Sequence, residues 1–311
     1  MIIIEVINMP RKARQKSYNA IYHIMARSIT EVDLYKDNED KEVYLSYIKK
    51  YQKLYRFKVY AYCLMDNHVH IMIDANGSDI SRVMHGINSS YVRYFNKKHK
   101  RHGHLFQDRF KSKMVLDNKY LCALSLYIHN NPIDIPKYKD SPEKYYFSSL
   151  AVYFGERKDP FGLIQDWFLM SFFGDTLRRA RKKYSRLIFK YENKKVEEKI
   201  NFKHEETEYR SGRNTLVRNF KPEDIIEFIA SKLKISELNI HLKHRREYIE
   251  AKAIIVLLMR SLCNYRCTDI CNVLGNISQV RVSELSSLGI KLMDNKKYKE
   301  IVEEFIECYS V

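Results

Sequence analysis

Apolar and polar residues alternate along the first half of the chain in a pattern that predicts strands interleaved with helices. Residues 20–27 (AIYHIMAR) alternate and are rich in side chains that favour strands. From Asp40 the apolar residues recur every three or four positions, which predicts a helix. Its buried face is expected to contain Val43, Tyr47, Ile48, Tyr51 and Leu54.

The elements that follow complete a recognisable order. Two strands are separated by Asp66-Asn67, a pair suited to a tight hairpin turn. The sequence predicts strands at 57–65, 68–74 and from Arg109, and helices from Ser78 or Asp79 towards His99 and from about Asp117 to Asn130. The order βαββαβ plus a helix predicts an α+β fold of the ferredoxin-like split βαββαβ type.

The second half of the chain predicts a different organisation. The polar stretch 192–214 has no apolar period and is expected to be a linker, which leaves a small all-helical domain at 215–311. In that domain CTDICNVLG and SQVRVSELSSLGI flank a turn near Gly275, the rhythm of a helix-turn-helix. A helical bundle that binds no ligand is the alternative. The alternating strands and helices are expected to form a first domain at 10–190.

The charge of the chain points to a polyanionic partner. The 55 Lys and Arg exceed the 38 Asp and Glu, which gives a net charge of +17. The 24 Tyr and 15 Phe favour nucleic acid, because unpaired bases stack on aromatic rings. No apolar run reaches the roughly 18 residues that a spanning helix needs, so no membrane partner is expected. Scattered cysteines and an opening unlike a signal peptide predict a location in the cytoplasm.

The strand HVHIMID carries the clearest candidate for metal chemistry. Side chains two apart on a strand project from the same face, so His68 and His70 can reach one ion while Val69 points away. An isolated His-x-His pair is more often two surface histidines. Here the pair begins a strand directly after a turn, and Asp66 and Asn67 offer further oxygen atoms nearby.

Several sequence blocks together resemble one family. The chain is similar to the single-tyrosine HUH transposases, most closely to their REP-associated tyrosine transposase branch, over about residues 10–190. The blocks are YHIMAR from Tyr22, AYCLMDNHVHIMI from Ala61, GHLFQDRFKSKMV from Gly103, YIHNNPI from Tyr127 and YYFSSLAVYFG from Tyr145. Two positions depart from the family: Asp66 stands where Pro is usual, and Ser28 where Gly is usual.

The resemblance implies a nucleophile at Tyr127. Asn131 lies four residues later, so a phenol and a carboxamide can point to the same place. An amide is a suitable third ligand beside His68 and His70 for Mg²⁺ or Mn²⁺. By resemblance, Tyr127 attacks single-stranded or hairpin DNA, forms a 5′-phosphotyrosine and releases a 3′-hydroxyl, which another 3′-hydroxyl can reverse in strand transfer.

Contacts to DNA are expected from basic residues with aromatic neighbours. The candidates are Arg109, Lys111, Arg14, Arg27 and Tyr94. Two other functions remain open: a domesticated, noncatalytic DNA-binding regulator, and a nuclease or binder that acts on RNA. The sequence leaves open whether the protein is a monomer or a homodimer.

Overall fold

The computed structural model describes residues 17, 20–30, 32–190, 220–241, 248–263, 265–275 and 277–308. Within them, one antiparallel sheet of four strands has the order β2-β3-β1-β4. The strands are β1 (Ile21–Arg27), β2 (Lys58–Leu64), β3 (His68–Asp74) and β4 (Lys111–Met114). This topology confirms the predicted α+β, ferredoxin-like arrangement.

The helices of this first region begin where acidic side chains can cap them. Asp37, Asp79 and Asp117 each accept a hydrogen bond from a backbone N–H of the first helical turn. Ser78, the alternative cap, instead donates its hydroxyl to the carbonyl of Ala75. The helices are α1 (Asn38–Tyr55), α2 (Ile80–Lys98), α3 (Asn118–Asn130), α4 (Leu150–Phe154), α5 (Asp166–Met170) and α6 (Leu177–Lys190), with three short 3₁₀ turns at Asn131–Asp134, Pro136–Tyr138 and Pro142–Lys144.

Two details differ from the sequence prediction. The fourth strand is only four residues long, because Arg109 and Phe110 precede the paired segment. The buried face of α1 is rotated: Tyr44 and Leu45 are fully buried, whereas Val43, Tyr47 and Tyr51 are only partly buried. Periodicity alone located the helix but could not decide which side of its broad apolar surface faces the sheet.

The two faces of the sheet differ in chemistry. One face contains apolar side chains such as Ile24, Val69 and Ile71, all fully buried in the core that includes the inner sides of α1 and α2. The other face carries His23, His68 and His70, because these positions share one parity in the β1–β3 register, and it packs against α3. We call it the histidine face.

The remaining described helices build a second apolar core. They are α7 (Pro222–Leu233), α8 (Glu237–His241), α9 (Ile249–Leu262), α10 (Cys267–Leu274), α11 (Gln279–Leu292) and α12 (Lys296–Cys308). The helix α9 is buried on most sides and packs against α11. Gly275 ends α10 with φ +62°, a conformation that favours glycine. The helix-turn-helix at α10 and α11 stays a prediction.

These C-terminal helices pack against the first region. Leu257 of α9 is buried in the core of the sheet region, and Ile290 and Met293 pack against the same core. Lys53 of α1 forms an ion pair of 2.6 Å with Asp294. The expected linker at 192–214 lies outside the described residues, so the domain boundaries stay a prediction.

The described helices include none that is both long and apolar enough to cross a bilayer.

Close packing of α9 against α11 depends on Gly289. A Cβ at this position would lie 2.4 Å from the carbonyl oxygen of Ala253 and 3.0 Å from Cβ of Leu257. We expect Gly289→Val to lower the free energy of unfolding by about 2 kcal/mol, because backbone atoms cannot move aside without separating the helices. Urea denaturation measures this, with Ser287→Val at an exposed site of the same helix as the control. Equal stability of the two variants would contradict the prediction.

Candidate active site

Three imidazoles form the centre of the histidine face. Nε2 of His23 lies 2.9 Å from Nδ1 of His70, and the two rings are stacked with centroids 5.1 Å apart. The rings of His68 and His70 lie 5.0 Å apart, nearly perpendicular to each other. The predicted His68–His70 pair therefore shares one face, as strand alternation requires. His23 reaches the pair only because β1 lies beside β3.

The surroundings of these rings favour their neutral forms. Burial lowers the pKa of His23 to about 3, and the charge of Lys113 acts in the same direction. Burial also brings the pKa of His70 well below its ordinary value, reinforced by His23 and His68. For His68, burial lowers the pKa, and a hydrogen bond to the side chain of Asn131 opposes this shift. Neutral imidazole is the form that binds a metal ion.

The end of α3 brings Tyr127 and Asn131 to the same place. The ring of Tyr127 lies 5.3 Å from that of His70 and 6.0 Å from that of His23, with edge-to-face geometry in both pairs. The amide nitrogen of Asn131 donates to the carbonyl oxygens of Tyr127 at 2.9 Å and Ile128 at 3.3 Å. These two bonds fix the orientation of the amide group. Its oxygen is then available for the hydrogen bond to His68.

Both departures from the family pattern support the turn that precedes His68. Asp66 forms an ion pair with Lys41 at a distance of 2.6 Å. The ammonium group of Lys41 also donates to the hydroxyl of Tyr145. Ser28 donates its backbone N–H and its hydroxyl to the carbonyl oxygen of Asn67. The turn is therefore held from α1 and from the end of β1.

Basic residues border the histidine face. Arg27 is exposed and pairs with His68 across β1 and β3, and its charge lowers the pKa of that histidine. On β4, Lys111 pairs with Met25 and Lys113 pairs with His23, so both lysine side chains lie on the histidine face. Lys113 belongs to the basic strand from Arg109 but was not among the residues predicted to contact DNA. Cations in these places are suited to a phosphate that approaches Tyr127.

Other predicted DNA contacts lie elsewhere. Arg109 lines a separate cleft beside α2, together with Phe106 and Phe110. Tyr94 donates to Asp40 and lies under the ammonium group of Lys98. Arg14 lies outside the described residues.

A second polar cluster joins the start of α1 to the end of α2. Asp37, Asp40 and His99 place ligand atoms close enough to hold a cation. The ammonium group of Lys98 already lies between them, 2.8 Å from Asp37 and 3.0 Å from Asp40. Its hydrogen bond is the main cause of the lowered pKa of Asp37. This cluster is satisfied internally as an ion-pair network.

A buried hydrogen-bond network fixes the helix that carries Tyr127. Nδ1 of His129 lies 2.7 Å from the hydroxyl of Tyr184 on α6, and Nε2 lies 2.7 Å from Oγ of Ser149. Ser149 in turn accepts a bond from the backbone N–H of Tyr62 on β2. The network joins β2, α3 and α6. Sequence reasoning attached no role to His129, since its partners are distant in the chain.

Comparison with protein families matches residues 16–131 to the family model described as IS200-like transposase. This segment is therefore similar to the IS200-like transposases, and we call the region built around it the transposase domain. The matched segment includes all four β-strands and ends at Asn131, so the histidine pair, Tyr127 and Asn131 all lie within this transposase domain.

Two further comparisons accompany the family match. A solved structure of a REP-associated tyrosine transposase bound to a REP hairpin is similar, with 16% identity, a TM-score of 0.42 and coverage of 51% of this chain and 93% of that one. A likeness this distant carries no conclusion about function. Comparison with curated proteins gives no match.

Removal of the His129 side chain tests how the transposase domain holds α3. We expect His129→Ala to lower the free energy of unfolding by about 2–4 kcal/mol, because it opens a cavity and removes the buried hydrogen bonds that join His129 to Tyr184 and Ser149. His102→Ala removes an exposed histidine and is the control. Urea unfolding followed by circular dichroism measures both, and a loss below about 0.5 kcal/mol in His129→Ala would contradict the assigned role.

Proposed function

We propose that this protein is a transposase that cleaves single-stranded or hairpin DNA and rejoins its ends through a covalent bond to Tyr127, with a divalent metal ion at the histidine face. The observation that carries the proposal is the position of the Tyr127 ring, 5.3 Å from His70, in a transposase domain where two histidines share one strand face. A metal ion held by those histidines would therefore lie close to the phenol.

The covalent step is the one that the resemblance to single-tyrosine HUH transposases implies. Oη of Tyr127 attacks the phosphorus atom, the phenolic proton is lost, and the bond from phosphorus to the 3′ oxygen breaks. The products are a 5′-phosphotyrosine and a free 3′-hydroxyl. Attack by another 3′-hydroxyl restores a phosphodiester and releases the tyrosine. Because the covalent bond conserves the phosphodiester linkage, no nucleotide hydrolysis is required.

The residues present fit a divalent ion. Two neutral imidazoles, His68 and His70, and the amide of Asn131 meet on one side of the site. A metal ion bound there would supply Lewis acidity, which stabilises the charge that develops on the attacked phosphate. His23 contacts Nδ1 of His70 and so orients the ring, a role that the outer partners of metal ligands commonly have. Of Mg²⁺ and Mn²⁺, Mn²⁺ suits a set with two imidazoles better, because Mg²⁺ prefers oxygen ligands.

The matched family model describes transposases, which act on DNA, and the exposed cations support the same substrate. Arg27 and Lys111 lie on the histidine face beside the site, where they could contact the phosphates of a DNA strand bound at Tyr127. The main alternative is a DNA-binding regulator without catalysis. Such a protein needs the cations but does not need a tyrosine next to paired histidines.

The Tyr127→Phe substitution tests the nucleophile. Only the phenolic oxygen can form the covalent bond, so we expect the variant to lose adduct formation by about a thousandfold or more and to bind DNA as wild type does. Denaturing electrophoresis of protein incubated with a labelled DNA hairpin and Mn²⁺ detects the adduct. An RNA strand of the same sequence is the comparison that tests the substrate. Adducts that persist in the variant would place the nucleophile elsewhere, and a wild-type protein that only binds would support the regulator.

The histidine pair is tested by metal binding and by cleavage. We expect His68→Ala and His70→Ala each to weaken Mn²⁺ binding about 10- to 100-fold or more and to abolish cleavage, because each removes a ligand. Isothermal titration with Mn²⁺ measures binding without requiring activity. His102→Ala is the matched control at an exposed site. Full cleavage in the presence of a chelator would rule out the metal.

A further inference from the structure

A basic cleft lies between the transposase domain and the C-terminal helices. It has a volume of about 400 Å³, and its walls come from α1 and α2 on one side and from α9 and the start of α10 on the other. The helices α1 and α2 cover the apolar face of the sheet, so this cleft is separate from the histidine face. Neither region forms the cleft alone.

Arginine dominates the lining of this cleft. Arg82 and Arg93 extend from α2, and Arg260 and Arg266 extend from the C-terminal helices, while the described lining residues include no Asp or Glu. Arg93 donates to Ser90 at 3.4 Å and Arg260 donates to Ser286 at 2.9 Å, both neutral partners. Within the described ranges, no carboxylate forms a salt bridge with either of them. Positive charges gathered in one cleft repel each other, and an anionic ligand would offset that repulsion.

Aromatic rings complete the cleft on the α1 side. The rings of Tyr51 and Tyr55 are stacked with centroids 6.3 Å apart and planes within 8° of parallel. Tyr51 lies across α2, where its hydroxyl contacts Ser90 at 3.0 Å. This position requires Gly86, because a Cβ there would lie 2.3 Å from Cε1 of the tyrosine. The ring of Tyr55 is buried, and that of Tyr51 is partly exposed, so the cleft combines cations with one accessible ring, a combination that binds nucleic acid strands.

We propose that this cleft binds the phosphate backbone of a DNA segment other than the one at Tyr127, so that the transposase domain and the C-terminal helices hold DNA jointly. The inference rests on the proposed function for the identity of the polyanion as DNA. A chain of phosphates matches arginines that are spread over both regions, whereas a single small anion would use only some of them. The C-terminal helices then supply half of a composite site.

The salt dependence of binding tests the composite site. Arg93→Gln with Arg266→Gln removes one exposed charge from each wall, and Lys296→Gln with Lys297→Gln removes two exposed charges from α12 as the control. The probe is a fluorescent DNA hairpin with single-stranded flanks, measured by anisotropy between about 0.1 and 0.3 M NaCl. We expect the cleft variant to lose about one unit of log–log slope and about eightfold affinity at 0.1 M salt for each lost contact.

The matched outcomes decide the proposal. The control variant should retain the wild-type slope, and Arg93→Lys with Arg266→Lys, which keeps the charge, should retain most of the affinity. The same slope in the cleft and control variants would overturn the proposal. Thermal unfolding of each variant confirms that it is folded. If the glutamine variant is unstable, protection of Cys267 from alkylation in the wild-type protein tests the cleft instead.

Cysteine alkylation reports occupancy of the cleft directly. Cys267 lines the cleft, whereas Cys308 is exposed at the end of α12 and is the internal control. The hairpin should slow the alkylation of Cys267, measured by peptide mass spectrometry, and leave the rate at Cys308 unchanged. No protection of Cys267 would overturn the proposal. Equal protection by inorganic phosphate would also overturn it, since the cleft would then be a site for small anions.

The two proposals can fail separately. All binding experiments are repeated with Tyr127→Phe, in which the cleft should behave as in the wild type. A wild-type protein that forms no adduct but shows the slope change and the protection would reject the catalytic proposal alone. Normal adduct formation with an unaltered slope in the cleft variant would reject the composite site alone.

Discussion

The antiparallel pairing of β1 with β3 is the constraint on which the candidate site depends. In this register Arg27 lies opposite His68 and His23 lies opposite Met72, so three histidines and a cation share one face. A shift by one residue would turn the imidazoles of β3 into the apolar core and expose Val69 and Ile71. Burial of those apolar side chains therefore holds the polar site in place, although it takes no part in the chemistry.

The rest of the transposase domain positions Tyr127 against that face. The network of His129, Ser149 and Tyr184 fixes α3 between β2 and α6, and Asn131 closes the end of the helix with bonds to its carbonyl groups. Precision at the site comes from buried polar groups whose bonds are all directional, so small displacements are costly. The turn before His68 is held in the same way, through Lys41 and Ser28.

The C-terminal helices contact the transposase domain closely enough to share its core at Leu257. This contact creates the cleft in which arginines of α2 face Arg260 and Arg266 of the C-terminal region. The proposed two-part division of the chain and this shared surface are compatible, because an interface between domains can serve both stability and binding. The helix-turn-helix spacing of α10 and α11 stays a prediction of DNA contact.

Local patterns in the sequence were sufficient for the order of elements, the start of α3 at its cap Asp117, and the placement of His68 and His70 on one face, since these depend on neighbours within a few residues. The tertiary structure alone decided the partnership of His23 with His70, the network around His129, the rotation of α1 and the composite arginine cleft. Each of these joins residues that are far apart in the chain. Their contacts depend on strand register and helix packing, which no local period encodes.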